Sequence, residues 1–234
     1  MRPCVGLIVP PAAGEVPPEP PALFPHIDFI AEGLGLPEMT PEGYDSVITR
    51  LGELAARLKA RGARAVSLMG TSLSFYRGAQ GNADALAAMS AATGLPVTTM
   101  TDSVLQALIA VGAQRVAVAT AYTDPVNRAL CACLEGAGFA VAGLRAMNLR
   151  AIGDVFRVSE AELLELGHAA VAAAPGADAL LISCGGLRTL PVVGPLEARH
   201  GLPVVSSATA GAWGAARLVG DTGRAPGHGA LFAR

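Results

Sequence analysis

The sequence predicts an α/β protein of two similar lobes. Each lobe is expected to be a mostly parallel sheet flanked by helices, and a pseudo-two-fold axis relates the lobes with a ligand pocket between them. Short apolar runs that end at glycine alternate with helical segments along the chain, an order typical of helices wound onto parallel sheets. Strand segments of the first half recur in the second. With 234 residues and 52% hydrophobic content, the chain can build cores of this size.

The first elements follow from apolar runs and punctuating residues. Residues 5–9 form an apolar run typical of a strand. Residues 10–25 hold too many prolines for a helix or a central strand, so we predict a long functional loop there. Thr40 followed by Pro41 marks a helix start, and leucines at helical spacing extend that helix to Gly62.

The remaining predicted elements continue the alternation of strand and helix. The strands are expected at residues 65–69, 116–119, 141–144 and 179–183, with one restarting at Gly94. The helices are expected at about 81–92, from Thr101 or Asp102 to about Ala110, from Thr123, and from the capping-box pair Ser159 and Glu162 to about Ala174.

Internal similarity divides the chain into halves. Residues 5–11 match 116–122, 65–71 match 179–185 and 94–97 match 201–204, each at an offset of about half the chain. We therefore expect a first lobe of residues 1–112 plus about 207–234, and a second lobe of 113–206. Equivalent strand ends then face each other across the pocket, where ligands usually bind. These pairs are Gly70 with Cys184 and Pro11 with Tyr122.

The run at residues 179–183 stops at Cys184, and two glycines follow at once. Ligands of open α/β sheets gather at strand ends, so Cys184 is a candidate for a functional thiol. Gly185 and Gly186 lack a Cβ, and their N–H groups can approach an anion closely. A core cysteine before a turn is the alternative interpretation, because free cysteine is often buried.

Composition excludes several classes of partner. The 17 basic and 19 acidic residues nearly cancel and form no block of one sign, so we expect no nucleic acid and no anionic membrane as partner. No run of 18 apolar residues is present, which argues against a membrane span. Cys4, Cys131, Cys133 and Cys184 lack paired metal-ligand spacing. We therefore expect reduced thiols in a cytoplasmic protein with no metal site.

Seven stretches together resemble the arylmalonate decarboxylase family, within the aspartate/glutamate racemase superfamily. They are VPPAAG from Val9, GLGL from Gly33, TPEGYD from Thr40, SLMGTSLSFYRG from Ser67, ATAY from Ala119, SCGGL from Ser183 and GLPVVSS from Gly201. The resemblance covers nearly the whole chain, and the block from Ser67 is its most specific part. It implies the racemase-like fold of the superfamily.

The resemblance implies a cofactor-free enzyme that removes CO2 from a 2-aryl-2-methylmalonate and gives one enantiomer of a 2-arylpropionate. The intermediate is an enediolate, and Cys184 would protonate its carbon as a general acid. Racemases and maleate isomerases of the superfamily carry two cysteines on opposite faces of the substrate. Here Gly70 stands at the mirror position of Cys184, which favours decarboxylation. The implied partner is a small dicarboxylate, and we expect a monomer.

The same resemblance assigns the other site residues. A dioxyanion hole would hold the carboxylate that stays on the substrate. Its donors would be the hydroxyls of Thr71, Ser72 and Tyr122 and the backbone N–H of Gly185. An apolar pocket would desolvate the carboxylate that leaves, lined by Leu36, Met39, Leu73, Ile152 and Val155. The aryl group would lie against Pro10, Pro11 and Gly186.

Two alternatives stay open at the level of sequence. One is a racemase or maleate-type cis-trans isomerase of the same superfamily, which needs a second cysteine. The other is a non-catalytic, two-lobed carboxylate-binding protein, in which Cys184 would be dispensable.

Overall fold

The structure is a computed structural model that describes residues 2–233. Its strands are β1 (Cys4–Val9), β2 (Asp28–Gly33), β3 (Ala65–Leu68), β4 (Val97–Thr99), β5 (Arg115–Thr120), β6 (Ala140–Ala146), β7 (Ala179–Ser183) and β8 (Val204–Ser206). Its first helices are α1 (Glu19–Leu23), α2 (Pro41–Val47), α3 (Leu51–Ala60), α4 (Thr71–Phe75), α5 (Gly78–Thr93) and α6 (Met100–Val111). The later helices are α7 (Asp124–Gly136), α8 (Ile152–Val155), α9 (Glu160–Ala172), α10 (Leu190–His200) and α11 (Ser207–Arg217).

The strands form two four-stranded parallel sheets with the same topology. Their orders are β2-β1-β3-β4 and β6-β5-β7-β8. The strands that match in sequence therefore occupy equivalent places, which confirms the predicted pair of similar lobes. Gly94 and Gly201 also correspond, because each ends a helix in the left-handed conformation, with φ of 64° and 66°, ahead of β4 and β8.

The central strands β1, β3, β5 and β7 are buried along nearly their whole length. Continuous apolar runs of this kind suit parallel strands that are covered on both faces. Because helices cover these strands, the polar groups of a site can lie only beyond the carboxyl ends of the strands. Those ends carry the predicted site residues in both lobes.

Two predictions about the first half were wrong. Residues 10–25 do contain a helix, the five-residue α1, because Pro20 and Pro21 fall in its first turn, where a missing N–H costs no hydrogen bond. The predicted helix from Thr40 to Gly62 is split into α2, a 3₁₀ turn at Ile48–Arg50, and α3. Its start is as predicted, with Thr40 Oγ1 accepting from the Gly43 N–H at 3.1 Å.

Three further elements, β2, α4 and α10, were not predicted from the sequence, and the predicted cap of α6 was wrong. Thr99, rather than Thr101 or Asp102, caps α6, since its hydroxyl accepts from the Asp102 N–H at 3.1 Å. The predicted capping box of Ser159 and Glu162 is confirmed at the start of α9.

The last helix, α11, follows the second sheet but packs against α6 and α1 of the first half. The division into residues 1–112 plus about 207–234 and residues 113–206 stays a prediction. Across residues 2–233, the structure has no helix that is both long and apolar enough to traverse a bilayer.

Candidate active site

A cavity of about 360 Å³ lies where the carboxyl ends of β1, β3, β5 and β7 meet. It contains nearly all of the residues that the sequence assigned to a site. Those in its lining are Pro10, Pro11, Leu36, Met39, Gly70, Thr71, Ser72, Tyr122, Ile152, Val155, Cys184, Gly185 and Gly186. The two equivalent strand ends, at Gly70 and Cys184, therefore border the same space.

Leu73 is not among the lining residues, and its role in the apolar pocket stays a prediction. Its side chain is buried next to Gly70, since a Cβ built on Gly70 would lie 2.6 Å from Leu73 Cδ1. Leu73 lies in α4, which begins at Thr71. Sequence spacing alone could not reveal this short helix.

Cys184 is buried directly after β7 and has a backbone φ of 155°, a conformation that residues with a side chain rarely adopt. Strain of this kind is often found at functional sites. Burial raises the pKa of the thiol to about 11, while the N–H of Gly186, the hydroxyl of Tyr122 and the N–H of Leu187 act in the opposite direction. The thiol is therefore protonated at neutral pH and can donate a proton.

The two glycines after Cys184 are required by close packing. A Cβ on Gly185 would lie 2.6 Å from Met100 Sδ. A Cβ on Gly186 would lie 3.0 Å from Val155 Cγ1 and 3.4 Å from Phe156 Cε1, so a side chain there would enter the cavity beside these two residues. The N–H of Cys184 itself donates to Ser207 Oγ at 3.3 Å and is partly occupied.

Three buried hydroxyls line one side of the cavity, those of Thr71, Ser72 and Tyr122. Within residues 2–233, Thr71 Oγ1 has no hydrogen-bond partner of acceptable geometry. The hydroxyl of Tyr122 accepts a long bond of 3.5 Å from Ser183 Oγ and also lies near Thr71 and Cys184. Burial raises the pKa of Tyr122 well above its ordinary value, so it stays a donor. A buried hydroxyl without a well-formed partner, such as that of Thr71, suits an anionic ligand.

A hydrogen-bond network fixes α4 and with it Thr71. Ser74 Oγ and Thr101 Oγ1 are 2.6 Å apart, and both contact the Thr71 carbonyl oxygen, at 2.9 and 3.0 Å respectively. Ser74 and Thr101 are both buried. The network holds the start of α4 against α6, so the Thr71 hydroxyl is positioned before any ligand binds.

The loop after β1 is held by backbone contacts from the GLGL stretch. The N–H groups of Leu34 and Leu36 donate to the carbonyls of Val9 and Pro10 at 2.8 and 2.9 Å. Gly33 permits this approach, because a Cβ there would lie 2.4 Å from the Ala12 carbonyl oxygen. The two prolines and Leu36 are thereby placed in the cavity wall.

A contact between the lobes forms the apolar side of the cavity. The N–H of Met39 donates to the Arg150 carbonyl at 3.0 Å, and Glu38 pairs with Ala151 in an isolated antiparallel bridge. This contact places Met39 beside the short helix α8 that carries Ile152 and Val155. The cavity lining thus combines apolar side chains from both lobes with the hydroxyls described above.

Tyr44 is a site residue that sequence reasoning missed, although the TPEGYD stretch contains it. Its hydroxyl is buried and has no well-formed hydrogen bond in the described part of the chain, but it lies near the Ser72 hydroxyl. Burial raises the pKa of Tyr44 above its ordinary value. The phenol is therefore an uncharged group behind Ser72, held by a tilted ring contact of 4.9 Å with Tyr76.

The outer part of the cavity was also missed, and it carries charge. The Pro-rich segment supplies Glu15 and Glu19, while the second lobe supplies Phe156 and Arg188. The sequence predicted a functional loop at residues 10–25, which contains Glu15 and Glu19, but it did not single out either residue. Among residues 2–233 no group of three or more His, Cys, Asp or Glu side chains is arranged to hold a metal ion.

Two parallel sheets of identical order, with a cysteine-bearing cavity between their strand ends, are the fold of the aspartate/glutamate racemase superfamily. A solved maleate isomerase from Pseudomonas putida S16 shares that fold, with a TM-score of 0.90 at 21% identity over 98% of both chains.

The closer comparisons identify the family. The family model for arylmalonate decarboxylase matches residues 5–232. Arylmalonate decarboxylase from Bordetella bronchiseptica is 51% identical over 231 residues, which span 98% of this chain and 96% of that protein. A liganded arylmalonate decarboxylase with one Gly→Cys and one Cys→Ser exchange superposes with a TM-score of 0.96 at 50% identity, over 99% of both chains. The chain therefore belongs to the arylmalonate decarboxylase family and is a carboxy-lyase.

Proposed function

We propose that the protein decarboxylates 2-aryl-2-methylmalonates to one enantiomer of the 2-arylpropionate, without a cofactor. One observation carries the proposal. A buried, protonated thiol opens into a cavity lined by apolar side chains and by the hydroxyls of Thr71, Ser72 and Tyr122, of which that of Thr71 has no well-formed partner among residues 2–233. Loss of CO2 from a malonate leaves an enediolate, which needs donors at its oxygens and an acid at its carbon.

The hydroxyls of Thr71, Ser72 and Tyr122 and the N–H of Gly185 form the proposed dioxyanion hole. The carboxylate that remains gains negative charge as the C–C bond breaks, so preorganised donors stabilise the transition state more than the substrate. The missing partner of Thr71 Oγ1 supports this role, since a bound carboxylate oxygen would supply one.

The leaving carboxylate would lie in an apolar pocket formed by Leu36, Met39, Leu73, Ile152 and Val155. Leu36, Met39 and Val155 are 7%, 5% and 2% exposed, so water is largely excluded there. A carboxylate loses hydration in such surroundings, whereas neutral CO2 needs none. Expulsion of CO2 relieves that cost.

The aryl group would lie against Pro10, Pro11 and Gly186. Gly186 lines the cavity and lacks a Cβ, so a flat ring can lie directly against its backbone. The methyl group and the two carboxylates then have defined places, and only one face of the enediolate carbon meets Cys184.

Cys184 would transfer the proton from Sγ to the enediolate carbon, and a C–H bond forms as the S–H bond breaks. The thiolate left behind is stabilised by the N–H groups of Gly186 and Leu187 until it regains a proton from water. Among residues 2–233, no second thiol lines the cavity, and Gly70 occupies the strand end equivalent to that of Cys184. The product is therefore a single enantiomer.

The proposal also includes a monomeric enzyme in the cytoplasm that acts on a small dicarboxylate. Its direct test is CO2 release from 2-methyl-2-phenylmalonate, with chiral analysis of the product. We expect turnover with one enantiomer in large excess. A racemic product would contradict one-face protonation, and absence of CO2 would contradict the activity.

A further inference from the structure

The outer cavity contains a buried carboxylate that the proposed reaction does not use. Glu19 lines the cavity and is only 4% exposed, whereas Glu15 in the same wall is exposed. In the described chain, the Glu19 carboxylate accepts a hydrogen bond from its own backbone N–H, and no other residue donates to it. A buried carboxylate with unused acceptor positions is costly unless a ligand or water satisfies it.

Glu19 belongs to the same Pro-rich segment as Pro10 and Pro11, and all three line the cavity. Arg188, which also lines it, is close enough to lower the pKa of Glu19, although burial has the larger and opposite effect. An aryl group against Pro10 and Pro11 would therefore have Glu19, with Pro17 and Pro18, along the same part of the wall.

The charges around Glu19 favour one kind of substituent. A carboxylate prefers a hydrogen-bond donor, but the nearby guanidinium of Arg188 disfavours a cationic one. A neutral donor such as a phenolic hydroxyl satisfies both groups. At neutral pH a phenol is uncharged, since its pKa is about 10.

Resting on the proposed function, we infer that Glu19 is a specificity residue that selects arylmalonates whose ring carries a neutral hydrogen-bond donor at its far edge. The acceptor would contribute most of the discrimination between a hydroxyaryl group and the matching methoxyaryl group. A hydrogen bond to such a buried acceptor corresponds to a preference of about tenfold or more.

The test measures binding of product acids by calorimetry at pH 7, so that it does not depend on turnover. The probes are 2-(3-hydroxyphenyl)propionate, 2-(4-hydroxyphenyl)propionate and their methoxy counterparts. With the unmodified enzyme, one of the hydroxy acids should bind about tenfold more tightly than its methoxy counterpart. Equal affinities within each pair would overturn the inference, even if the enzyme decarboxylates phenylmalonates well.

The variants assign the preference to the buried carboxylate. Glu19→Leu should reduce the hydroxy-to-methoxy ratio to about one, and Glu19→Gln should reduce it partly, because an amide oxygen is a weaker acceptor. Glu15→Leu is the matched control, since it removes an exposed carboxylate from the same wall, and it should keep the ratio of the unmodified enzyme. The inference would be wrong if the hydroxy-to-methoxy affinity ratio were unchanged in both Glu19→Gln and Glu19→Leu. It would also be wrong if Glu15→Leu abolished that ratio.

Discussion

A second cysteine at position 70 should create a site with one thiol on each face of the substrate's α-carbon. Gly70 has φ −141° and ψ 101°, an extended conformation open to any residue, so the backbone needs no change. A Cβ there would lie 2.6 Å from Leu73 Cδ1 and 3.3 Å from Leu73 Cβ, so the leucine must shift. Overpacking of this kind costs about 1–3 kcal/mol. We expect the melting temperature of Gly70→Cys to fall by about 2–12 °C.

The chemical consequence depends on which face each thiol addresses. Gly70→Cys should racemise 2-arylpropionates slowly, since one thiol accepts the α-proton while the other donates. Gly70→Cys combined with Cys184→Ser should decarboxylate 2-methyl-2-phenylmalonate to the opposite enantiomer. Gly70→Ser, which adds similar bulk without a thiol, is the control for packing and should not racemise. Chiral chromatography decides the matter, and unchanged handedness in the double variant at measurable turnover would refute the facing arrangement.

Three further perturbations test separate parts of the site. Val155→Asp should slow decarboxylation by at least about tenfold, because a polar side chain brings water to the leaving carboxylate; an unchanged kcat would count against desolvation. Thr71→Val should reduce kcat by about 10²-fold or more, the usual effect of losing one oxyanion donor, with a smaller change in KM; equal losses in binding and rate would contradict the role. The rate of Cys184 alkylation, followed by peptide mass spectrometry, should rise with pH to a midpoint near 11, because the thiol stays protonated below its raised pKa. A midpoint at about 8.5 would show that the pKa of the thiol is not raised.

The parts of the fold that the sequence predicted well are those set by local chemistry. Apolar runs predicted the central strands, and the matching glycines before β4 and β8 indicated the duplication. The capping box of Ser159 predicted the start of α9. Elements with weaker local signals were missed. The strand β2 lies at a sheet edge and reads as DFIAEG, and α1 exists in spite of its two prolines.

The candidate site divides in a similar way. Residues at strand ends, such as Cys184 and Tyr122, were placed in the cavity because sheet topology fixes where strands end. Glu19 and Arg188 were not found, since a charged residue in a loop is usually solvent-exposed and nothing local distinguishes these two. Leu73 lies in the five-residue helix α4, which no periodicity reveals, and its place in the apolar pocket stays a prediction.

The most direct test of the proposed mechanism compares the unmodified enzyme with Cys184→Ala in deuterated water, using 2-methyl-2-phenylmalonate. The unmodified enzyme should release CO2 and give one enantiomer with deuterium at the α-carbon. Cys184→Ala should keep its fold and lose about 10²–10⁴-fold in rate, the usual contribution of a positioned acid. Near-full turnover to the same enantiomer in the alanine variant would contradict proton donation by Cys184.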